Sequence, residues 1–457
     1  MKIIKNLNII NLFLIFHFFI SLIVLLKLNY FKVEYILFSS VFGVCFYISL
    51  KKMNSYSLLY LTIFLYLGFW LKFTYFSFFN NPLSSTMVEM LYLDDIILKK
   101  KTYSKTLLIS SFNILTIYIL YIVLNKINFF NTTDSYKLKN IGFYLNKFNK
   151  LTIFSLLSIF ILIYFLNIEY SIYQKGILET NYLQKLFYIF LILGFSSLVC
   201  LLVDNTKELK KKIFLLIIST INGFFLNLSI LSRTMILHEL SIFYPTIKRY
   251  FNKNFFVIIS LLFLFLTLCY VNVKSVNYLR LENFNNPSNK TLNIKLNKVF
   301  KKETSNYDSR AIERLFFYRW VGFDGLFNVL LVDDRNVNLI TQKDAYQNNF
   351  IDKYQLVKSK DKMRGSIVTP GIISIINYSN NFYISSSILI LIITCLFFLE
   401  KIILHLTGSI SLTSFLTFIL VWRLIHMGNS LNNTIILYLL LLFLPLFLFI
   451  INKIIKI

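Results

Sequence analysis

The sequence predicts an all-α polytopic membrane protein with about 12 transmembrane helices and a large outer loop containing amphipathic helices. Three observations predict it. The 457 residues are 57% hydrophobic, 18% aromatic and only 15% charged, with a mean hydropathy of +0.67, outside the range of soluble domains. The apolar residues fall in runs of roughly 18 to 20, long enough as helices to cross the hydrocarbon core. Clusters of lysine and arginine separate the runs at intervals that fit alternating crossings.

The first run, at about residues 9–26, follows Lys2 and Lys5. It is too long for a signal-peptide core and lacks a small-residue cleavage site, so it reads as an uncleaved span with its N-terminus in the cytoplasm. Further runs at about 33–50, 56–75, 106–125, 151–168, 184–203, 213–230, 255–273, 383–399, 409–426 and 433–452 make eleven clear spans. The positive-inside rule places Lys51-Lys52, the five lysines of 126–150 and the lysines of 207–212 on the cytoplasmic side. The next basic cluster, Lys248, Arg249 and Lys253, joins them only if 234–247 is itself a crossing. That stretch is about 21 Å long as a helix, short of the roughly 30 Å core, so it is expected to be tilted, partly re-entrant or lining a polar cavity.

With twelve crossings both termini are cytoplasmic. The chain then divides into helices 1–8 and the short crossing (1–273), a large periplasmic or extracellular loop (274–382) and three last helices (383–457). The 109-residue loop begins with an Asn- and Lys-rich stretch (283–302) that has no apolar periodicity and reads as a linker. Asp308 is a candidate N-cap for an amphipathic helix, a second short helix is expected over 341–351, and Thr369-Pro370-Gly371 marks the return to the membrane.

Lysine and arginine are used differently. The first 232 residues hold 22 lysines and no arginine, whereas the remainder holds 16 lysines and all nine arginines. With alanine only at positions 311 and 345, the composition reflects a biased coding sequence, so the formal charge of +26 is no sign of nucleic-acid binding, and no basic, aromatic-interleaved soluble patch accompanies it. Arginine is then the informative cation, because its planar fork suits phosphate and carboxylate. Cys45, Cys200, Cys269 and Cys395 and the four histidines show no metal-ligand or disulfide spacing.

Six of the nine arginines lie in the outer loop, three of them in the stretch 310–325, RAIERLFFYRWVGFDG. As a helix it places Ile312, Leu315, Phe316, Phe323 and Phe327 on one stripe, with Arg319 inside the stripe and Arg310 and Arg314 opposite. A guanidinium on the buried face requires an anion; the plain alternative is an ion pair with Asp324. Glu313 and Asp324 are the nearest carboxylates able to take a proton. Arg233, beside Ser232 at the end of a span, is a candidate anion ligand, and His238 and Glu239 form an ionisable pair in the short crossing. Tyr173, Gln174 and Lys175 in an outer turn have the groups to stack on and bond a sugar, although an interfacial aromatic belt explains the tyrosines equally well. Arg423 and His426 lie near the outer end of the eleventh span, and Asp94-Asp95 is a weak metal-binding pair.

The layout resembles the oligosaccharide repeat-unit polymerases, also called O-antigen or Wzy-type polymerases. The resemblance rests on the span count, the large outer loop before the last spans, Ser232-Arg233 within LSRTMILHEL, Arg319-Trp320 with Gly322 and Gly325 in the loop, and YQKG at 173–176. It implies a glycosyltransferase of the bacterial inner membrane that needs neither metal nor other cofactor. Undecaprenyl-pyrophosphate-linked oligosaccharides would be joined into surface polysaccharide at the outer face, with a chain-length regulator as a candidate partner. Arg233 and Arg319, assisted by Arg314, would stabilise the departing pyrophosphate, and Glu313, Asp324 and His238 remain alternatives for the base. Ser232, Arg310, Trp320, Tyr173, Gln174, Lys175 and Arg423 would bind substrate. A ligase moving finished glycan and a lipid-linked oligosaccharide flippase are the alternatives; a loop holding most of the arginines suits the flippase poorly.

Overall fold

The computed structural model describes residues 9–51, 55–79, 96–127, 193–206, 208–229, 235–250, 255–285, 322–330, 371–426 and 431–454, with 129, 335 and 337. Among them all regular structure is helical and no strand occurs. Among the described residues four helices are long and apolar enough to cross a membrane: Lys32–Lys51, Tyr56–Phe79, Lys100–Lys126 and Phe382–Thr407. The protein is a helical membrane protein. The expected span at 151–168, the second loop helix at 341–351 and the cap Asp308 lie outside the described residues.

Two compact units share the chain. The first comprises Met1–Thr133, Arg310–Ile402 and Ile419–Phe443. Its described helices are α1 (Ile9–Lys27), α2 (Lys32–Lys51), α3 (Tyr56–Leu65) continued through a π-helical turn (Tyr66–Leu71) into α4 (Lys72–Phe79), and α5 (Ile96–Lys126). The run from α3 to α4 is 83% buried, against 39% for α2 and 50% for α5, so it is the central helix and the others keep a face for lipid. Aromatic rings fill the space around it, Phe69, Trp70, Phe73 and Phe76 all being buried.

A polar cluster braces the π-turn. His17 is buried between the Tyr66 hydroxyl at 2.8 Å and the Ser39 carbonyl at 2.9 Å, and stacks near Trp70. A carbonyl only accepts, so Nε2 donates to Ser39, and in the neutral ring Nδ1 accepts from Tyr66. Gly43 makes the space, since a Cβ there would run into the imidazole. Trp70 Nε1 donates to Ser39 Oγ at 2.8 Å. One helical turn wider than α is thereby held by side chains from three helices, a geometry frequent at functional sites.

The second unit comprises Asp134–Ser309, Ile403–Phe418 and Leu444–Ile457. Its described helices are α6 (Phe195–Asn205), α7 (Leu209–Ser229), α8 (Met235–Tyr250) and α9 (Phe255–Asn285). The short stretch expected to cross at 234–247 is α8, 16 residues with Pro245 inside and Lys248 and Arg249 in its last turn, where cations offset the helix dipole. Within the loop lie α10 (Phe323–Leu330) and α11 (Ile372–Ile376), both in the first unit, and after it α12 (Phe382–Thr407), α13 (Ile410–His426) and α14 (Leu431–Ile454), which contribute to both units.

In each unit a distant carboxylate caps a helix N-terminus. Glu400 accepts from Ser55 Oγ at 2.7 Å, Tyr56 N at 2.6 Å and Ser57 N at 2.8 Å, ahead of α3. Asp204 accepts from Ser409 Oγ at 2.5 Å, Ser411 N at 2.9 Å and Ser411 Oγ at 2.6 Å, ahead of α13. Orphan helix N–H groups are thus satisfied by a charge that the dipole favours. Replacing Glu400 by Ala leaves buried donors unmet, and is expected to lower stability by about 2 kcal/mol; thermal unfolding in detergent would show it, with Glu400→Gln less affected.

Candidate functional site

In the first unit the described end of the arginine-bearing stretch is docked among the spans. At Gly322 two backbones meet: a Cβ there would run into the Gly68 carbonyl, with Gly68 Cα at 2.9 Å. Gly68 lies inside the π-turn, so two residues without side chains share one contact point. From Gly322 the chain enters α10, whose Phe323, Leu326 and Phe327 are buried. The Phe323 ring meets Phe73 at 4.9 Å and stacks on Tyr103 at 5.8 Å, and Phe327 meets Tyr103 at 4.5 Å. Phe323 and Phe327 do share one apolar stripe, as their spacing predicts.

The polar counterpart is an ion pair. Lys72 Nζ donates to Asp324 Oδ2, with the lysine side chain 2% and the aspartate 12% exposed. Burial pushes the Asp324 carboxyl above its ordinary range, and the Lys72 ammonium draws it back. Among the described residues its other oxygen, Oδ1, is buried without a hydrogen-bond partner and retains its capacity to accept a proton. Parity alone places 310–325 outside the membrane, free to fold apart from the spans. The described part of it, 322–325, packs on a span: paired glycines bring the two backbones together, and a lysine of that helix holds the aspartate. Among the described residues Asp324 pairs with Lys72; Arg319, the partner considered from sequence, lies outside them.

The second unit contains a different polar centre. Glu239 of α8 is 1% exposed and accepts from Ser196 Oγ at 2.5 Å, from Ser219 Oγ and, more weakly, from Asn222 Nδ2 at 3.5 Å. Three neutral donors from α6 and α7 therefore converge on one carboxyl. Gly223 makes room, since a Cβ there would stand 2.7 Å from Glu239 Cγ and 3.0 Å from Ile236 Cα. His238, also buried, turns the other way, its ring edge-on to Phe418 at 5.6 Å. The expected ionisable pair is thus split: consecutive helical residues point about 100° apart, and none of Glu239's hydrogen bonds is to His238.

Of the other candidates, Arg423 is half-buried on α13, next to Trp422, whose ring meets Phe64 edge-on. Ser232, Arg233, Arg310, Glu313, Arg314, Arg319, Trp320, Tyr173, Gln174, Lys175 and Asp94-Asp95 lie outside the described residues. Lys72, Gly68 and the donors to Glu239 were not singled out by sequence. For Lys72 a signal existed, a single lysine in the interior of an apolar run. Among the described residues no three His, Cys, Asp or Glu side chains come together. No protein-family model matches the chain, nor does any curated protein or solved structure.

The glycine contact makes a direct prediction. Gly322→Ala forces the loop away from Gly68 and is expected to destabilise the protein by about 1–3 kcal/mol, the usual consequence of overpacking. An unchanged midpoint of thermal unfolding in lipid nanodiscs would contradict the contact.

Proposed function

We propose that the chain joins lipid-linked oligosaccharide repeat units into surface polysaccharide at the outer face of the bacterial inner membrane. The donor is a growing glycan on undecaprenyl pyrophosphate and the acceptor a single lipid-linked unit. An acceptor hydroxyl attacks the donor's anomeric carbon with inversion. As the new C–O bond forms, the bond to pyrophosphate breaks, the lipid pyrophosphate leaves with the bonding pair, and the hydroxyl proton passes to a base.

One observation carries the reading most. The outer-loop motif that resembles the polymerases, Arg319-Trp320 followed by Gly322 and Gly325, ends in a segment seated on the central helix rather than in solvent. A seated loop suits preorganised stabilisation of a developing pyrophosphate, because donors fixed beforehand need no reorganisation during the reaction. Arg319 and Arg233 are assigned to that charge, with Arg314 assisting. Asp324, whose Oδ1 is still able to accept, is a stronger candidate base on geometry than His238, which faces Phe418; Glu313 remains a third.

The test is made in cells. Arg233→Ala and Arg319→Ala should each shorten surface polysaccharide to single repeats, with a loss on the order of 100-fold or more in polymer, and Lys at either position should restore little because a bidentate fork is lost. Normal ladders at normal protein levels would sink the assignment of these arginines. Accumulation of full-length lipid-linked polymer would instead identify a ligase.

A further inference from the structure

We propose that Lys72, through its ion pair with Asp324 and beside the Gly68–Gly322 contact, is a positioning residue that latches the arginine-bearing outer loop onto the central helix. The identity of what the loop acts on rests on the polymerase reading; the latch itself does not.

The argument starts from what the pair does for the protein. A buried lysine–aspartate pair adds little net stability compared with apolar residues of the same volume, whereas removing one partner strands the other. Its best-attested use is to specify register. Here the specified register is that of a loop helix of eight residues, Phe323–Leu330, too short to hold its own conformation. Its rings Phe323 and Phe327 seat against Phe73 and Tyr103, but apolar contacts alone tolerate sliding by a turn. The ion pair and the glycine contact do not. Lys72 is one residue after the π-turn that contains Gly68, and Asp324 is two after Gly322, so both contacts join the same two short segments. The wider π-turn also links the loop to the His17–Tyr66–Ser39 cluster on its other side. The end of the latch is three residues from Arg319 in the sequence, and a shift of even one ångström in a charge-stabilising group is costly to the chemistry.

Hydrogen exchange on the full chain in lipid nanodiscs tests the latch without any glycan. Amides of 322–330 should be protected in the parent, and Lys72→Met and Asp324→Asn should each speed their exchange by about tenfold or more while α12 stays protected. The swapped pair, Lys72→Asp with Asp324→Lys, should restore protection. Unchanged exchange in the single variants, or a folded swap that stays unprotected, would overturn the latch. If the singles fail to fold, a folded and protected swap supports the proposal, and failure of the swap as well overturns it.

Polymer synthesis by the same variants separates the two claims. Loss in Lys72→Met of about 100-fold in turnover, with KM for the lipid-linked unit little changed and recovery in Lys72→Arg, is the expected positioning signature. Loosened exchange with undiminished turnover would overturn the positioning role and leave the polymerase reading standing. Loosened exchange in a protein that makes no polymer even as the parent would leave the latch and remove the polymerase reading.

Discussion

The meeting of Gly322 with Gly68, secured by Lys72 and Asp324, is the constraint on which the first unit depends. Everything around it is arranged to make a backbone-to-backbone contact possible inside a crowded aromatic core. The π-turn at Tyr66–Leu71 widens the central helix where the loop arrives. His17, Tyr66, Ser39 and Trp70 hold that turn open from the far side. Phe73, Tyr103, Phe323 and Phe327 close around the near side. Two residues without side chains and one pair of opposite charges thus decide where residues 322–330 of the outer loop seat on the central helix.

Charges inside this protein fall into two kinds. Glu400 and Asp204 are helix caps: each collects backbone and hydroxyl donors at an N-terminus, where a dipole favours the anion. Lys72 with Asp324, and Glu239 with its three neutral donors, are interior groups of another kind, although Asp324 also sits in the first turn of α10 where the dipole favours it. In an apolar protein such groups are retained against a desolvation penalty of kilocalories, and both hold elements that the sequence marks as unusual. Asp324 holds the arginine-bearing loop, and Glu239 fixes the short, proline-containing α8 to α6 and α7.

Much of the fold was legible because apolar runs of span length admit few alternatives. The helices at 9–27, 32–51, 56–79 and 382–407 coincide with runs read directly from the residues, and a helix, α8, occupies the short stretch that charge parity singled out. The sites were less legible. Phe323 and Phe327 could be assigned to one face by periodicity, but the seat of that face could not, because it depends on a lysine 252 residues away from its aspartate. Glu239 looked like a partner for its neighbour His238, whereas its real partners are 43, 20 and 17 residues distant. Sequence spacing reports which face a residue occupies, and only tertiary packing reports what the face meets. The π-turn left no mark beyond a glycine in an aromatic run.

The functional account stands on one chemical event, transfer of a glycan from a lipid pyrophosphate to an acceptor sugar. The most direct measurement is made with purified protein in vesicles supplied with undecaprenyl-pyrophosphate-linked repeat units, following glycan mass and released lipid pyrophosphate together. The account predicts products heavier by whole repeats, with one lipid pyrophosphate released for each new glycosidic bond. Repeat units that keep their mass and lipid, whether left in place or moved across the bilayer, would contradict it.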